Sequence, residues 1–378
     1  MRVTIIIPTY NRAHLVHEAI DSVLDQTFTD FELLVVDDGS TDNTADVVQG
    51  YRDPRLRYLA QSNQGAAAAL NAGLRAAQGE YLAFLDSDDL FHVDKLERQV
   101  RFLDGEPEAG LVFTGHRTMD APGRIDPLVD PRGGRRVALE QLVKGPVLTF
   151  SSILVRMSYV KKAGFFNEDL RTGVDREWLL RLAITGCRML GIPEALTIKR
   201  VHPHNLVRGA GSVGSNCLKV LEVVFSSPEF PPKLRHLRAV GRAHCFARIS
   251  GLACVDDDLD TAVTYARKAM SEIRGAPDGD PGEIALQVVH TCRGISLGDP
   301  DKALLGLATR LSRLESPEHR FARLLRAALY ATETCDSFQR EDRWGTVRGA
   351  SRYLFTVFPR VDNRGVVAML GRALLGRF

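Results

Sequence analysis

Three carboxylates crowd into four residues at Asp86-Ser87-Asp88-Asp89, immediately after the apolar run Tyr81–Leu85. Two carboxylates ~5 Å apart at an effective dielectric of ~20 repel by about 3 kcal/mol. Such a cluster at the mouth of a buried strand needs a counter-charge. A hard divalent cation, Mg²⁺ or Mn²⁺, takes carboxylate oxygens and completes its shell with substrate phosphate oxygens. The competing reading is local: Asp88 or Asp89 caps the following helix, whose apolar positions are Val93, Leu96 and Val100.

Strand and helix signals alternate through the first 85 residues. Val3–Ile7 is a short β-branched run that ends at Pro8, and Asn11 is suited to capping a helix through Leu15, Val16, Ala19, Ile20, Val23 and Leu24. Phe31–Val36, Leu56–Ala60 and Tyr81–Leu85 read as further strands, with helices over Ala45–Tyr51 and Ala66–Ala77. Right-handed crossovers then give a doubly wound α/β sheet. In such a sheet, ligands bind outside the C-terminal strand ends. Four polar loops stand there: Thr9-Tyr10-Asn11-Arg12, Asp37-Asp38, Gln61-Ser62-Asn63-Gln64-Gly65 and the acidic cluster.

After residue 100 the pattern loosens. Leu111–Thr114, Ser152–Val155 and Ala195–Val201 read as strands, and Glu177–Thr185 as a helix. The Gly/Ser-rich stretch His204–Ser212 reads as a mobile linker. From about 215 the signal is helical, so the expected domains are 1–214 and 215–378. An echo between Asp258–Ala262 and Asp299–Ala303 raises a helical-hairpin repeat, on two copies only.

The motifs Ile7-Pro8-Thr9-Tyr10-Asn11-Arg12, Val36-Asp37-Asp38-Gly39-Ser40-Thr41-Asp42, Asn63-Gln64-Gly65, Asn71-Ala72-Gly73 and Leu85-Asp86-Ser87-Asp88-Asp89 resemble, in order and spacing, family 2 glycosyltransferases of the GT-A fold. Gly164–Glu168 resembles that family's GGFDE segment, Asp175–Leu182 its EDxDLWLRL segment, and Arg200–Asn205 its YRxHxxN segment. The resemblance covers residues 1 to about 206. It implies a GT-A mixed sheet followed by an all-α C-terminal domain. It also implies inverting, metal-dependent, one-sugar-per-encounter transfer from a UDP- or dTDP-sugar to an acceptor hydroxyl.

The roles carry over by position. Pro8, Thr9 and Tyr10 line the nucleoside, and Asp38 accepts from the base imide N–H. Arg12 approaches the nucleotide, unless it is only a solvated surface residue. Asn63 and Gly65 form the ribose wall. Asp86 and Ser87 face the diphosphate, and Asp88 with Asp86 holds Mn²⁺ or Mg²⁺. His202 completes the metal shell or packs structurally. Asp175 is the general base, with a helix N-cap as its bland alternative, and Asp37 caps a turn or helix. The chain departs from the family pattern at Val174, where Glu is usual, and at Glu177, where Asp is usual. Glu177 stays open as the base, although residues two apart on a helix do not share a face.

The bulk numbers narrow the classes. A net charge of +2 over 378 residues argues against wholesale nucleic-acid binding. No run of 18 apolar residues exists, and the N-terminus is no signal peptide, so a cytoplasmic protein is expected. Six cysteines without C-x-x-C spacing read as scattered buried thiols. Trp344–Phe378 carries six arginines and one acid, Asp362, among apolar residues. It either packs on the helical domain or lies on an anionic membrane, the latter tested by liposome co-sedimentation after truncation at Glu341. Self-association is compatible with the sequence. A nucleotidyltransferase is disfavoured, because Pro8-Thr9-Tyr10-Asn11 is no Gly-rich phosphate loop. A degenerate nucleotide-sugar-binding module is the remaining alternative.

Overall fold

A computed structural model describes residues 1–119, 123, 125, 136–145, 147–200, 210–274, 276, 279–295, 300–314 and 318–339. The chain divides into two compact units, residues 1–206 with 219–232, and 207–218 with 233–378.

The first unit is built on a nine-stranded mixed sheet. Its parallel half comprises β1 (Val3–Thr9), β2 (Phe31–Asp37), β3 (Leu56–Ala60) and β4 (Tyr81–Phe84), in the spatial order β3-β2-β1-β4. Between them run α1 (Val16–Leu24), α2 (Thr44–Gln49) and α3 (Ala66–Ala76). Ile5, Ile6, Ile7, Leu33, Leu34, Val35 and Val36 are fully buried, consistent with strands covered on both faces. Each such side chain contributes about 1.5–3 kcal/mol of burial, which fixes the strands and hence where their loops emerge. Pro8 does not end β1, which continues to Thr9. β4 pairs only with Val3–Ile6, so at Pro8 the ladder continues on the β2 side alone.

Beyond β4 come β5 (Leu90–Phe91), α4 (Lys95–Gly105), β6 (Ala109–Met119), β7 (Arg136–Val137), α5 (Leu139–Lys144), β8 (Ile153–Arg156), α6 (Met157–Ala163), α7 (Val174–Ile184) and β9 (Arg188–Arg200). β8 lies antiparallel between β4 and β6, and β9 runs parallel to β6. The sheet continues β4-β8-β6-β9-β5, with β7 on β9. The mixed α/β sheet therefore matches the expected fold class.

The second unit is helical: the start of α8 (Ala210–Ser226), then α9 (Leu237–Val255), α10 (Leu259–Arg274), α11 (Pro281–Ile295), α12 (Pro300–Ser312) and α13 (Glu318–Gln339). Val240, Phe246, Ile249, Met270, Val288, Leu307, Phe321 and Leu325 share its core. Asp258 accepts from Thr261 N at 3.0 Å at the start of α10; its echo at Asp299 lies outside the described residues. Ala210–Ser212 open α8 rather than extending a linker, and residues 203–209 lie outside the description.

The expectation of scattered thiols is corrected. Cys217 and Cys245 form a disulfide between α8 and α9, with Cα atoms 5.9 Å apart, while Cys187, Cys254 and Cys292 are buried and not disulfide-bonded. The bonded pair is 28 residues apart in sequence, so only helix packing brings it together. Among the described residues no helix is long and apolar enough to cross a membrane. Trp344–Phe378 lies outside them.

Candidate active site

Of the four loops at the C-terminal edge of β1–β4, the first three are bonded to one another. Asn11 sits in the left-handed region at φ 53°, which suits asparagine better than most residues. Its Oδ1 accepts from Thr41 N at 2.7 Å, and its own N–H donates to Ser40 Oγ at 2.9 Å. Asn11 thus ties the first loop to the second and does not cap α1, which starts at Val16 with no side-chain cap. Arg12 N donates to Thr44 Oγ1 at 3.0 Å and the residue is half-buried. Tyr10 is 45% exposed beside it. Thr9 is buried, and its Oγ1 has no hydrogen-bond partner. A buried hydroxyl without a partner costs free energy, and this one lies where a ligand group would meet it.

Asp37 closes its own turn. Its carboxylate accepts from Ser40 N at 2.8 Å and Tyr58 OH at 2.7 Å, which realises the turn-cap reading. Asp38 anchors the third loop, accepting from Gln61 Nε2 at 2.7 Å, Gln64 N at 2.9 Å and Gly65 N at 2.7 Å. A carboxylate offers about four lone-pair sites, so one remains for a further donor. Gly39 (φ +77°) lies so close to the third loop that a Cβ would stand 2.8 Å from Asn63 N. Asn63 is exposed, and Gly65 (φ 96°) is the N-cap residue of α3.

The acidic loop is held from two sides. Ser151, fully buried, donates to Asp89 Oδ2 at 2.7 Å and accepts from Asp86 N at 3.2 Å. Arg200 N donates to Asp89 Oδ1 at 3.0 Å, and its Nε to Asp88 O at 3.1 Å. Neither Asp88 nor Asp89 caps α4. β5 intervenes, and the N-cap residue is Asp94. Asp86 and Asp88 are half-buried, Ser87 and Asp89 buried. Burial, then repulsion from Asp88, pushes the Asp89 carboxyl up to about 7. Burial raises Asp86 well above the usual range, with Asp89, Asp88 and Asp175 adding repulsion.

That repulsion brings Asp175 into the site's electrostatic field. Asp175 is half-buried in the first turn of α7, and the N-cap position belongs to Gly173, so the capping alternative is not realised. Glu177 is 2% exposed and its two oxygens take Arg181 at 2.6 and 2.9 Å. It is committed to that ion pair. An aromatic frame joins the two acidic elements. Phe84, two residues before Asp86, stacks on Phe150 at 4.3 Å and meets Trp178 edge-on at 5.7 Å. Trp178, three residues after Asp175, stacks on Phe166 at 5.0 Å and donates its indole N–H to Gly164 O.

Among the described residues no three His, Cys, Asp or Glu side chains converge into a ready-made metal cage. Two half-buried carboxylates two residues apart nevertheless fit a hard cation that shares its shell with phosphate oxygens. Asp86 and Asp88 would hold it. His202 lies outside the described residues.

A family model for glycosyl transferase family 2 matches residues 4–164. A Bacillus subtilis glycosyltransferase named for teichuronic acid biosynthesis, TuaG, is 33% identical over 204 residues, covering 53% of this chain and 79% of that protein. The chain belongs to glycosyl transferase family 2. An uncharacterised Rickettsia felis glycosyltransferase is 36% identical over 177 residues, 46% of this chain. The chain spans under a third of that longer relative, 29%. In fold it is similar to Staphylococcus aureus TarS 1-349 in complex with UDP-GlcNAc (TM-score 0.56, 18% identity, 90% of this chain and 92% of that one). It is also similar to the Pyrobaculum calidifontis mannosyltransferase PcManGT in complex with GDP-Man and Mn²⁺ (TM-score 0.54, 21% identity, 91% of this chain and 87% of that one).

Several parts of the site carry little or no signal in the sequence. Ser151 carries no local signal, because its partners lie 62 and 65 residues away. Phe84 lies in an expected strand and Phe166 in the Gly164–Glu168 segment, and only packing joins them with Phe150 and Trp178 into a frame. Arg200 was visible within a motif, but its grip on the acidic loop was not.

Proposed function

We propose that this glycosyltransferase moves a sugar from a UDP- or dTDP-sugar to an acceptor hydroxyl with inversion at the anomeric carbon. One arrangement carries the reading: the Phe84–Trp178 contact joins the acidic loop to the helix turn of Asp175, while Glu177, the other acid in that turn, is consumed by Arg181. A carboxylate at a helix N-terminus is favoured by the helix dipole. In this reading Asp175, half-buried in the first turn of α7, is the base at the diphosphate site.

The donor's nucleoside lies along Pro8, Thr9 and Tyr10, where Thr9 Oγ1 gains its missing partner. Arg12, Asn63 and Gly65 line the nucleotide, and Asp38 holds that wall in place with one lone pair left for the base. Ser87 and Asp86 face the diphosphate. Asp86 and Asp88, with His202 as the third candidate, would hold a divalent cation, Mn²⁺ or Mg²⁺, which would supply neutralisation of the diphosphate charge. The acceptor oxygen attacks the anomeric carbon as Asp175 takes its proton. The bond from that carbon to the diphosphate oxygen breaks on the opposite face, and the nucleoside diphosphate leaves. The fold neighbour bound to UDP-GlcNAc supports a nucleotide-sugar donor. TuaG's name supports a cell-surface polymer as acceptor.

Asp175→Asn tests the base. The variant loses about 10³-fold or more in turnover and binds UDP within twofold of wild type by calorimetry. Unchanged turnover overturns the assignment of Asp175, whereas UDP binding without any turnover in the wild type favours a binding module.

A further inference from the structure

A cation stands at the mouth of the site that neither the acidic motif nor the nucleotide loops account for. Thr197 and Lys199 lie two apart on β9 and so share one face of the strand. Thr197 is fully buried and its Oγ1 donates to Ser151 O at 3.3 Å. Ser151 is the residue that grips both Asp89 and the backbone of Asp86. The face bearing Thr197 and Lys199 therefore borders the acidic loop, and Lys199 is where it emerges, exposed. Arg200 takes the other face. Its guanidinium reaches Asp88 O, and also Glu18 at 2.8 Å. The Lys199 charge is felt at both Asp86 and Asp89. In the family's YRxHxxN segment, this position, one before Arg200, is tyrosine; here it is lysine.

We propose that Lys199 is a second cationic contact for the donor's diphosphate, acting beside the divalent ion, and that it favours the leaving group over the bound donor. The assignment rests on the donor reading given above. An exposed lysine near carboxylates adds little to the stability of the fold. Its value changes once a ligand covers it, because exclusion of water strengthens the attraction between ammonium and phosphate. The chemistry selects the same moment. When the anomeric carbon–oxygen bond breaks, the diphosphate goes from two negative charges to three, and a flexible ammonium at its edge binds the later state more tightly. Three neighbouring carboxylates would otherwise repel that extra charge.

The test is calorimetric, on the full chain with UDP and UMP, each in Mn²⁺ and in EDTA. Lys199→Met is expected to weaken UDP about tenfold, with the larger loss in EDTA, and to leave UMP within twofold. Lys199→Arg retains most of the UDP affinity. KCl should depress UDP binding more in wild type than in Lys199→Met. Because Lys199 is exposed, the variants should melt with the wild type, which keeps the comparison clear of misfolding. Equal UDP affinity in wild type and Lys199→Met overturns the proposal, as does equal weakening of UDP and UMP. If the wild-type protein binds none of UDP, dTDP or GDP with Mn²⁺, the donor reading itself falls and this assignment falls with it.

Discussion

The two edges of the parallel sheet treat their carboxylates in opposite ways. At the N-terminal edge Arg2 binds Asp104 at 2.8 and 2.9 Å and Glu80 at 3.2 Å, and Tyr81 OH donates to Asp104 at 2.6 Å. The Arg2 and Tyr81 hydrogen bonds hold the Asp104 carboxyl down at about 2. Nearby, buried Glu32 takes Thr4 Oγ1 at 2.7 Å, Gln78 N at 2.8 Å and Arg57 at 3.1 Å. At the C-terminal edge Asp37 and Asp38 are also satisfied, but Asp86, Asp88 and Asp89 repel one another, and Asp89 is pushed up to about 7. One edge is complete as folded. The other carries repulsion that a bound cation would relieve, as perturbed groups at binding sites do.

Substitutions should break this contrast in order of size. Asp88→Asn lowers Mn²⁺-supported turnover about 10³-fold, yet the ligand-free protein melts no lower than wild type, because a repulsion has been removed. A large drop in melting temperature would make the cluster structural. Glu177→Gln, which breaks a buried ion pair, destabilises by about 2–4 kcal/mol in urea melts while the folded fraction still binds UDP. Arg2→Met costs about 1 kcal/mol or less, since that pair is partly solvent-screened, and leaves nucleotide affinity unchanged.

The two edges also respond to opposite pH windows. Asp89 is raised above its unfolded value near 4, so ligand-free stability is lost as pH climbs from about 4 to about 7. Asp104 is lowered, so its contribution is present above about 4 and disappears as pH falls toward about 2. Urea midpoints against pH should flatten between about 4 and 7 in Asp89→Asn, and below about 4 in Arg2→Met. Identical profiles in both variants would erase the distinction.

Much of the parallel half was legible because its signals are local. β3 runs Leu56–Ala60 as expected, and α3 ends one residue early at Ala76. Asp86 and Asp88 stood out through type and spacing, and Asp175 through the family resemblance. What escaped depends on long-range contact: Ser151 under the acidic loop, the Phe84–Trp178 frame, the Cys217–Cys245 bond, and Lys199, brought to the acidic loop by the packing of β9. Asn11 misled for a physical reason. Asparagine suits caps and left-handed turns equally, and here the turn took it.

The central claim is that the C-terminal edge binds a divalent cation together with a nucleoside diphosphate. Electron paramagnetic resonance of free Mn²⁺ tests it directly. Adding the protein should remove little of the free signal, and adding UDP should remove it to a one-to-one limit in wild type but not in Asp88→Asn. A free Mn²⁺ signal that is the same in wild type and Asp88→Asn with UDP present would contradict the account.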